Sequence, residues 1–262
     1  MAINDGSGSG SDGALAGSVC VVVGASTGIG RATAARLVAD GAAVVVMMAR
    51  GAARLRQAAA SVGGTSVAVP VDIADPAAVR AAFAEIGERW GRVDALFNVA
   101  GVSRLGRLGE LSDEDIAYVF AINLLGPIYT ARAVLPLMQD GGGTIVNVSS
   151  EATLDAMPGG ILYGTSKAGL NAFTTMMTRE LRGTGIRFCL CILGHTEGTA
   201  FRDNFTGPSW ERARSAMQED GYYRRVAGAA GMSVDEVAEA LAFVAARPMR
   251  QMIDVVHVRA AG

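Results

Sequence analysis

The sequence has little of what builds disulfide frameworks, metal sites or membrane spans. Two histidines, His195 and His257, stand far apart and poorly accompanied, so no metal site is expected. Three cysteines do not make a disulfide framework, and Cys20, Cys189 and Cys191 read as small buried hydrophobes in a reducing cytosol. Cys189 and Cys191 are expected on opposite sheet faces and unpaired. Neither sign of charge dominates: a formal net charge of −2 gives no electrostatic reason to expect nucleic acid or an anionic membrane. No apolar run reaches the ~18 residues a membrane span needs. Residues 1–13 lack the charged and apolar regions of a secretory signal. Their Gly-Ser repeats predict a flexible tail over 1–14, followed by one domain over 15–262 in the cytoplasm.

What is present is alanine, glycine and valine, within a chain that is 50% hydrophobic. A chain of this length can bury about three quarters of its unfolded surface in one core. Apolar runs recur at 19–23, 43–48, 66–71, 93–98, 144–148, 186–193 and 253–258. Helical stretches fall between them, near 30–40, 51–61, 75–90, 112–139, 161–182, 209–218 and 233–246. Asp75-Pro76 reads as N-cap and N1, and Ser233-Val-Asp-Glu236 as a capping box. The alternation predicts an α/β fold: a doubly wound, parallel seven-stranded sheet of dinucleotide-binding type, flanked by helices, without a second domain.

Two patterns carry chemistry. The strand at 19–23 runs directly into Gly24-Ala25-Ser26-Thr27-Gly28-Ile29-Gly30 and then an Ala-rich helix. Glycines let backbone approach a pyrophosphate, and a helix N-terminus offers N–H groups and a favourable dipole. The spacing is G-x-x-x-G-x-G, not the commonest dinucleotide fingerprint. The second pattern is Tyr163-Gly-Thr-Ser-Lys167, with Ser150 thirteen residues earlier. Residues four apart share a helix face. An ammonium ~4 Å from a phenol, at an effective dielectric of ~20, favours the phenolate by roughly 4 kcal/mol, or about three pKa units. That predicts a tyrosine brought near neutrality, where a general acid/base works best.

Gly24, Gly28 and Gly30, then Asn98-Val99-Ala100-Gly101, Asn123, Ser150, Tyr163 and Lys167, stand in an order and spacing that resemble the short-chain dehydrogenase/reductase family, in its single-domain branch of about 250 residues. The resemblance runs from about Leu15 to the C-terminus. It implies hydride transfer between a nicotinamide and a ketone or secondary alcohol of a small-molecule metabolite. Tyr163 would be the general acid/base and Ser150 the orienting hydroxyl. Lys167 would lower the tyrosine pKa and bind the nicotinamide ribose. Asn123 would kink its helix, hold a water that contacts the lysine and complete a proton relay. Cofactor contacts are expected from Gly24, Ser26, Thr27, Gly28, Ile29, Gly30, Asp72, Ile73, Asn98, Ala100, Gly101, Tyr163, Lys167 and Thr196. The second strand ends without a carboxylate, and Arg50 follows with Arg54 and Arg56 nearby. A guanidinium there can fork onto a 2′-phosphate, so NADP(H) is favoured and NAD(H) is the alternative. Family members pack the helices at 112–139 and 161–182 against their counterparts, implying a homotetramer or homodimer, with Met176 and Met177 as candidate interface residues.

Departures from the family pattern are equally plain. Leu193-Gly194-His195-Thr196-Glu197-Gly198-Thr199 replaces the usual Pro-Gly segment, with the threonine one residue late, which leaves closure of this loop over the cofactor open. Glu151, Thr153 and Asp155 predict a pocket wall more polar and acidic than a fatty-acyl reductase would want. The tail Ile253-Asp-Val-Val-His-Val-Arg resembles branch members that end in a strand followed by Arg-Pro, with alanine replacing the proline. Asp203, Trp210, Tyr222 and Tyr223 suggest aromatic pocket surfaces, and exposed helix positions explain them equally well. A catalytically silent dinucleotide-binding protein on the same fold is the competing class. A nucleotide-sugar epimerase is a weaker rival, because those proteins usually carry an added substrate domain that this chain lacks.

Overall fold

A central sheet of seven parallel strands, in the order β3-β2-β1-β4-β5-β6-β7, organises the computed structural model, which describes residues 15–139, 141–203, 205, 207–226 and 231–261. The predicted tail over 1–14 lies outside those residues. The strands are β1 (Val19–Val23), β2 (Val44–Ala49), β3 (Ser66–Pro70), β4 (Ala95–Asn98), β5 (Gly143–Ser150), β6 (Ile186–Leu193) and β7 (Val255–Val258). Their order reverses between β1 and β4, and that switch point opens a crevice beyond the carboxyl ends of the strands.

The strands are apolar throughout because both sheet faces are covered. Along β1, Cys20 and Val22 enter one core, while Val19, Val21 and Val23 enter the other. Burial of each valine contributes roughly 1.5–3 kcal/mol. Cys189 and Cys191 lie in the same core layer. The expectation of opposite faces was wrong, since side chains two apart on a strand share a face. All three cysteines are free and buried.

The first core is covered by α1 (Gly28–Ala39), α2 (Ala52–Val62) and α9 (Val234–Ala245), the second by α3 (Pro76–Trp90), α4 (Asp113–Phe120), α5 (Gly126–Val134) and α6 (Ile161–Glu180). Both predicted caps form: Asp75 accepts from the amides of Ala77 and Ala78, and Ser233 with Glu236 closes a capping box. The single helix expected over 112–139 is instead four segments, with a π turn at Ala121–Leu125 between α4 and α5 and a 3-10 turn at Leu135–Leu137. Pro127 lacks an N–H to continue the α-helical ladder, and the Gly126 amide reaches back five residues to the Ala121 carbonyl. The stretch Asp113–Leu137 is long and apolar enough to cross a membrane by length and composition, yet its buried side packs across this core. Beyond β6 come α7 (Gly207–Asp220), expected near 209–218, and the short α8 (Tyr222–Val226), which was not expected; both contribute to the cavity at the carboxyl end of the sheet.

Candidate active site

The glycine turn and the Ser-Tyr-Lys group, far apart in sequence, line one cavity of about 380 Å³ at the switch point. On one side, Gly24, Ser26, Thr27, Gly28, Ile29 and Gly30 lead from β1 into α1. A Cβ on Gly24, whose φ is +89°, would stand 2.7 Å from the Ala100 amide. One on Gly30 would overlap the Gly24 carbonyl. Only glycine fits these two positions, and the backbone is left bare toward the cavity. Thr27 occupies the N-cap of α1 without a side-chain hydrogen bond to the first-turn amides. A bare cradle at a helix N-terminus suits a pyrophosphate.

On the other side, β5 delivers Ser150 and the first two turns of α6 deliver Tyr163 and Lys167. The Ser150 hydroxyl accepts from the Ala152 amide at 3.2 Å. Lys167 is buried, and its Nζ donates to the Val148 carbonyl at 2.7 Å. A Cβ on Gly101 would come within 3.5 Å of that nitrogen. Burial pushes the Lys167 ammonium down to about 8. Burial also pushes the Tyr163 phenol above its usual value, opposed by a side-chain hydrogen bond with Ser150. The ammonium that was expected to act on the phenol is bonded to the Val148 carbonyl.

The remaining expected residues divide. Ala100, Gly101 and Thr196 line the cavity. Asn98 does not: its amide donates to Asn147 at 2.8 Å and accepts from Thr130 at 2.8 Å, within a buried polar ladder across β4 and β5. Asn123 is fully buried in the π turn, bonded to both the amide and the carbonyl of Val102 and to the Ser166 hydroxyl. Its side chain clamps the loop after β4 to α6. Ile73 is buried against Gly126, outside the cavity wall. Asp72 accepts from the Ala74 amide and stands 4.0 Å from Arg50, an exposed pair beyond the ends of β3 and β2.

The loop after β6 closes without its proline. Gly194 donates to Val258, Met232 donates to His195, and Glu197 donates to Met232. Thr199 lies over the glycine turn, its Cα 3.4 Å from where a Gly28 Cβ would be.

The outer wall is not the acidic one expected. Thr153 turns its hydroxyl to the Ser150 carbonyl, and Asp155 is tied to Arg225. Glu151 lines the cavity, but its Oε1 lies 2.7 Å from His257 Nε2 on β7, a pairing across 106 residues that sequence reading missed. The wall is instead aromatic. Ring centroids run from Tyr163 to Phe201 at 5.0 Å, on to Phe205 at 5.3 Å and to Trp210 at 5.3 Å. Met157, Met217 and Tyr222 pack around them. Trp210 and Tyr222 were flagged from sequence; Phe201 and Phe205 were not, because a 3-10 turn at Ala200–Arg202 breaks any regular spacing. Nothing is described of the Tyr223 side chain. Among the described residues, no three or more His, Cys, Asp or Glu side chains stand close enough together to hold a metal ion.

The profile of the short chain dehydrogenases matches residues 18–208. The chain belongs to the short-chain dehydrogenase family. A 3-oxoacyl-acyl-carrier-protein reductase from Bos taurus is 38% identical over 184 residues, 69% of this chain and 77% of the relative. D-threitol dehydrogenase from Mycolicibacterium smegmatis is 38% identical over 179 residues, 66% of this chain and 68% of the relative. A metagenomic short-chain oxidoreductase solved in complex with NADP superposes with a TM-score of 0.77 at 29% identity, covering 94% of this chain and 98% of that one. Membership makes this chain an oxidoreductase with a Rossmann-like dinucleotide fold. The two named relatives act on different substrates, so family membership alone selects none.

Proposed function

We propose that this protein is an NADP(H)-preferring oxidoreductase that interconverts a ketone and a secondary alcohol, with Tyr163 as general acid/base. The observation that carries the reading is the meeting of the Gly24–Gly30 cradle with Ser150, Tyr163 and Lys167 in one cavity. A bound nicotinamide supplies or accepts the hydride. In the reducing direction, Tyr163 gives its phenolic proton to the carbonyl oxygen as negative charge develops there. Ser150 hydrogen-bonds the same oxygen and holds it facing the phenol. Lys167, fixed by Val148, adds positive charge to the same cavity. Asn123 acts as a positioning residue, anchoring the loop over Lys167 through Val102. Absorbance of the nicotinamide, followed with NADPH or NADH and a panel of ketones, tests the reading directly. A protein that binds the cofactor but turns over no carbonyl would favour the silent-binder class.

The cofactor preference rests on the end of β2. No carboxylate follows Val44–Ala49, and Arg50 is exposed with its guanidinium beyond the strand. Asp72, the carboxylate that faces Arg50, belongs to the neighbouring segment and is ion-paired at the edge of contact distance. Arg50→Ala is expected to lower kcat/KM with NADPH about tenfold or more, by loss of a charge-assisted phosphate contact, while leaving NADH nearly untouched. A native preference for NADH that the substitution does not move would contradict it.

A homotetramer is proposed on the α4–α6 face. Leu125 and Met176 are exposed there, at 40% and 67%, whereas Met177 is partly buried against the second core. Light scattering at micromolar concentration is expected to give a mass of four chains; a monomer would refute assembly.

A further inference from the structure

The substrate end of the cavity combines two features that the hydride-transfer chemistry does not require. One is the aromatic run Phe201-Phe205-Trp210, continuous with the Tyr163 ring and backed by Met157 and Met217. The other is Ser103, in the loop after β4. The residue lines the same cavity at 4% exposure; its hydroxyl oxygen is enclosed, has no hydrogen-bond partner among the described residues, and comes to a ligand by a turn of χ1. A buried hydroxyl without a partner is costly unless a ligand satisfies it, whereas flat aromatic walls gain most from a flat partner.

Among the described side chains, the two arginines beside this end are already paired. Arg212 of α7 pairs with Glu110 at 3.2 Å. Arg225 of α8 is held between Asp155 and Asp220 at 2.8 and 2.7 Å. Neither arginine lines the cavity, and Lys167 is committed to Val148 at its floor. The lining carboxylate, Glu151, faces His257. These ion pairs bind the α7–α8 cover to the body of the domain and offer no cation to a substrate carboxylate or phosphate beside the aromatic wall.

We infer that the substrate is a neutral, ring-bearing ketone or secondary alcohol that carries a second oxygen function, with the ring against Phe201, Phe205 and Trp210 and the second oxygen hydrogen-bonded to Ser103. This rests on the hydride-transfer reading of the same cavity. The Ser150–Tyr163 pair holds the reacting oxygen, Ser103 holds the other, and the aromatic wall sets the plane between them.

The test compares kcat/KM for four neutral or charged probes: an aryl ketone with a ring hydroxyl, the same ketone without it, an aliphatic ketone of equal size, and an aliphatic keto acid. The hydroxylated aryl ketone is expected to exceed its parent about tenfold, since the parent leaves Ser103 unpaired. Ser103→Ala should erase that ratio. Phe205→Leu and Trp210→Leu keep the wall apolar and should each cut the preference for ring over aliphatic ketone by about three- to tenfold. Equal turnover of the keto acid or the aliphatic ketone, or an unchanged ratio in Ser103→Ala, would overturn the inference. Quenching of Trp210 fluorescence by an aryl secondary alcohol, in a Trp90→Phe background, reads ring binding without turnover. Quenching with no turnover of any carbonyl would sink the hydride-transfer reading while leaving the ring site standing. Turnover of aliphatic ketones without quenching would sink the ring site alone.

Discussion

Tyr163→Phe is expected to fold, to bind NADPH and to lose turnover by about a thousandfold. The substitution removes one oxygen from a half-buried ring and leaves the ring contact with Phe201 in place. What disappears is the proton donor to the carbonyl oxygen, and a positioned general acid contributes about 10² to 10⁴ in rate. Stopped-flow measurement of NADPH binding beside steady-state turnover separates the two effects. A variant retaining a tenth of wild-type activity would mean that another group protonates the substrate.

Lys167→Ala is expected to damage both steps: turnover by about 10² or more, since a positive charge in the cavity is lost, and cofactor affinity by about tenfold. It also leaves the Val148 carbonyl without its donor in a buried site. The depressed lysine pKa makes a distinct claim about pH. Below about 8 the native lysine is charged, and kcat/KM for reduction should fall as pH rises through that value, because kcat/KM reports the free enzyme. Stability moves the other way. Between about 8 and the usual 10.5 the unfolded chain holds the proton and the native state has released it, so this group's contribution is present above 10.5 and lost as pH falls through 8. Lys167→Met should flatten both trends, measured by rate profiles and by denaturant midpoints across that range.

The parts of the site legible in the sequence were the local ones. Gly24 to Gly30 follow a valine strand at once, and Tyr163 and Lys167 sit one helical turn apart, so their chemistry is written within a few residues. The fold was legible for the same reason: seven apolar runs alternate with helical stretches. What escaped depends on the third dimension. Glu151 and His257 meet only because β5, β6 and β7 lie side by side. The polar ladder of Asn98, Asn147, Thr130 and Thr174 takes an apparent cofactor residue out of the crevice, and no local pattern announces where an asparagine at a strand end will point. The break in the long helix did carry a signal, Pro127, which a helical period of apolar residues concealed. The aromatic wall gathers Phe201 from a 3-10 turn, Phe205 from the segment after it and Trp210 from α7, so no single period joins them.

The most direct measurement follows deuterium from NADPH carrying deuterium at both nicotinamide C4 hydrogens during a single turnover with an aryl ketone. The account predicts one deuterium on the carbinol carbon of the alcohol, absent when Tyr163→Phe replaces the wild type over the same interval. Cofactor that binds stoichiometrically yet delivers no label to any ketone, or label transfer that proceeds equally in Tyr163→Phe, would contradict it.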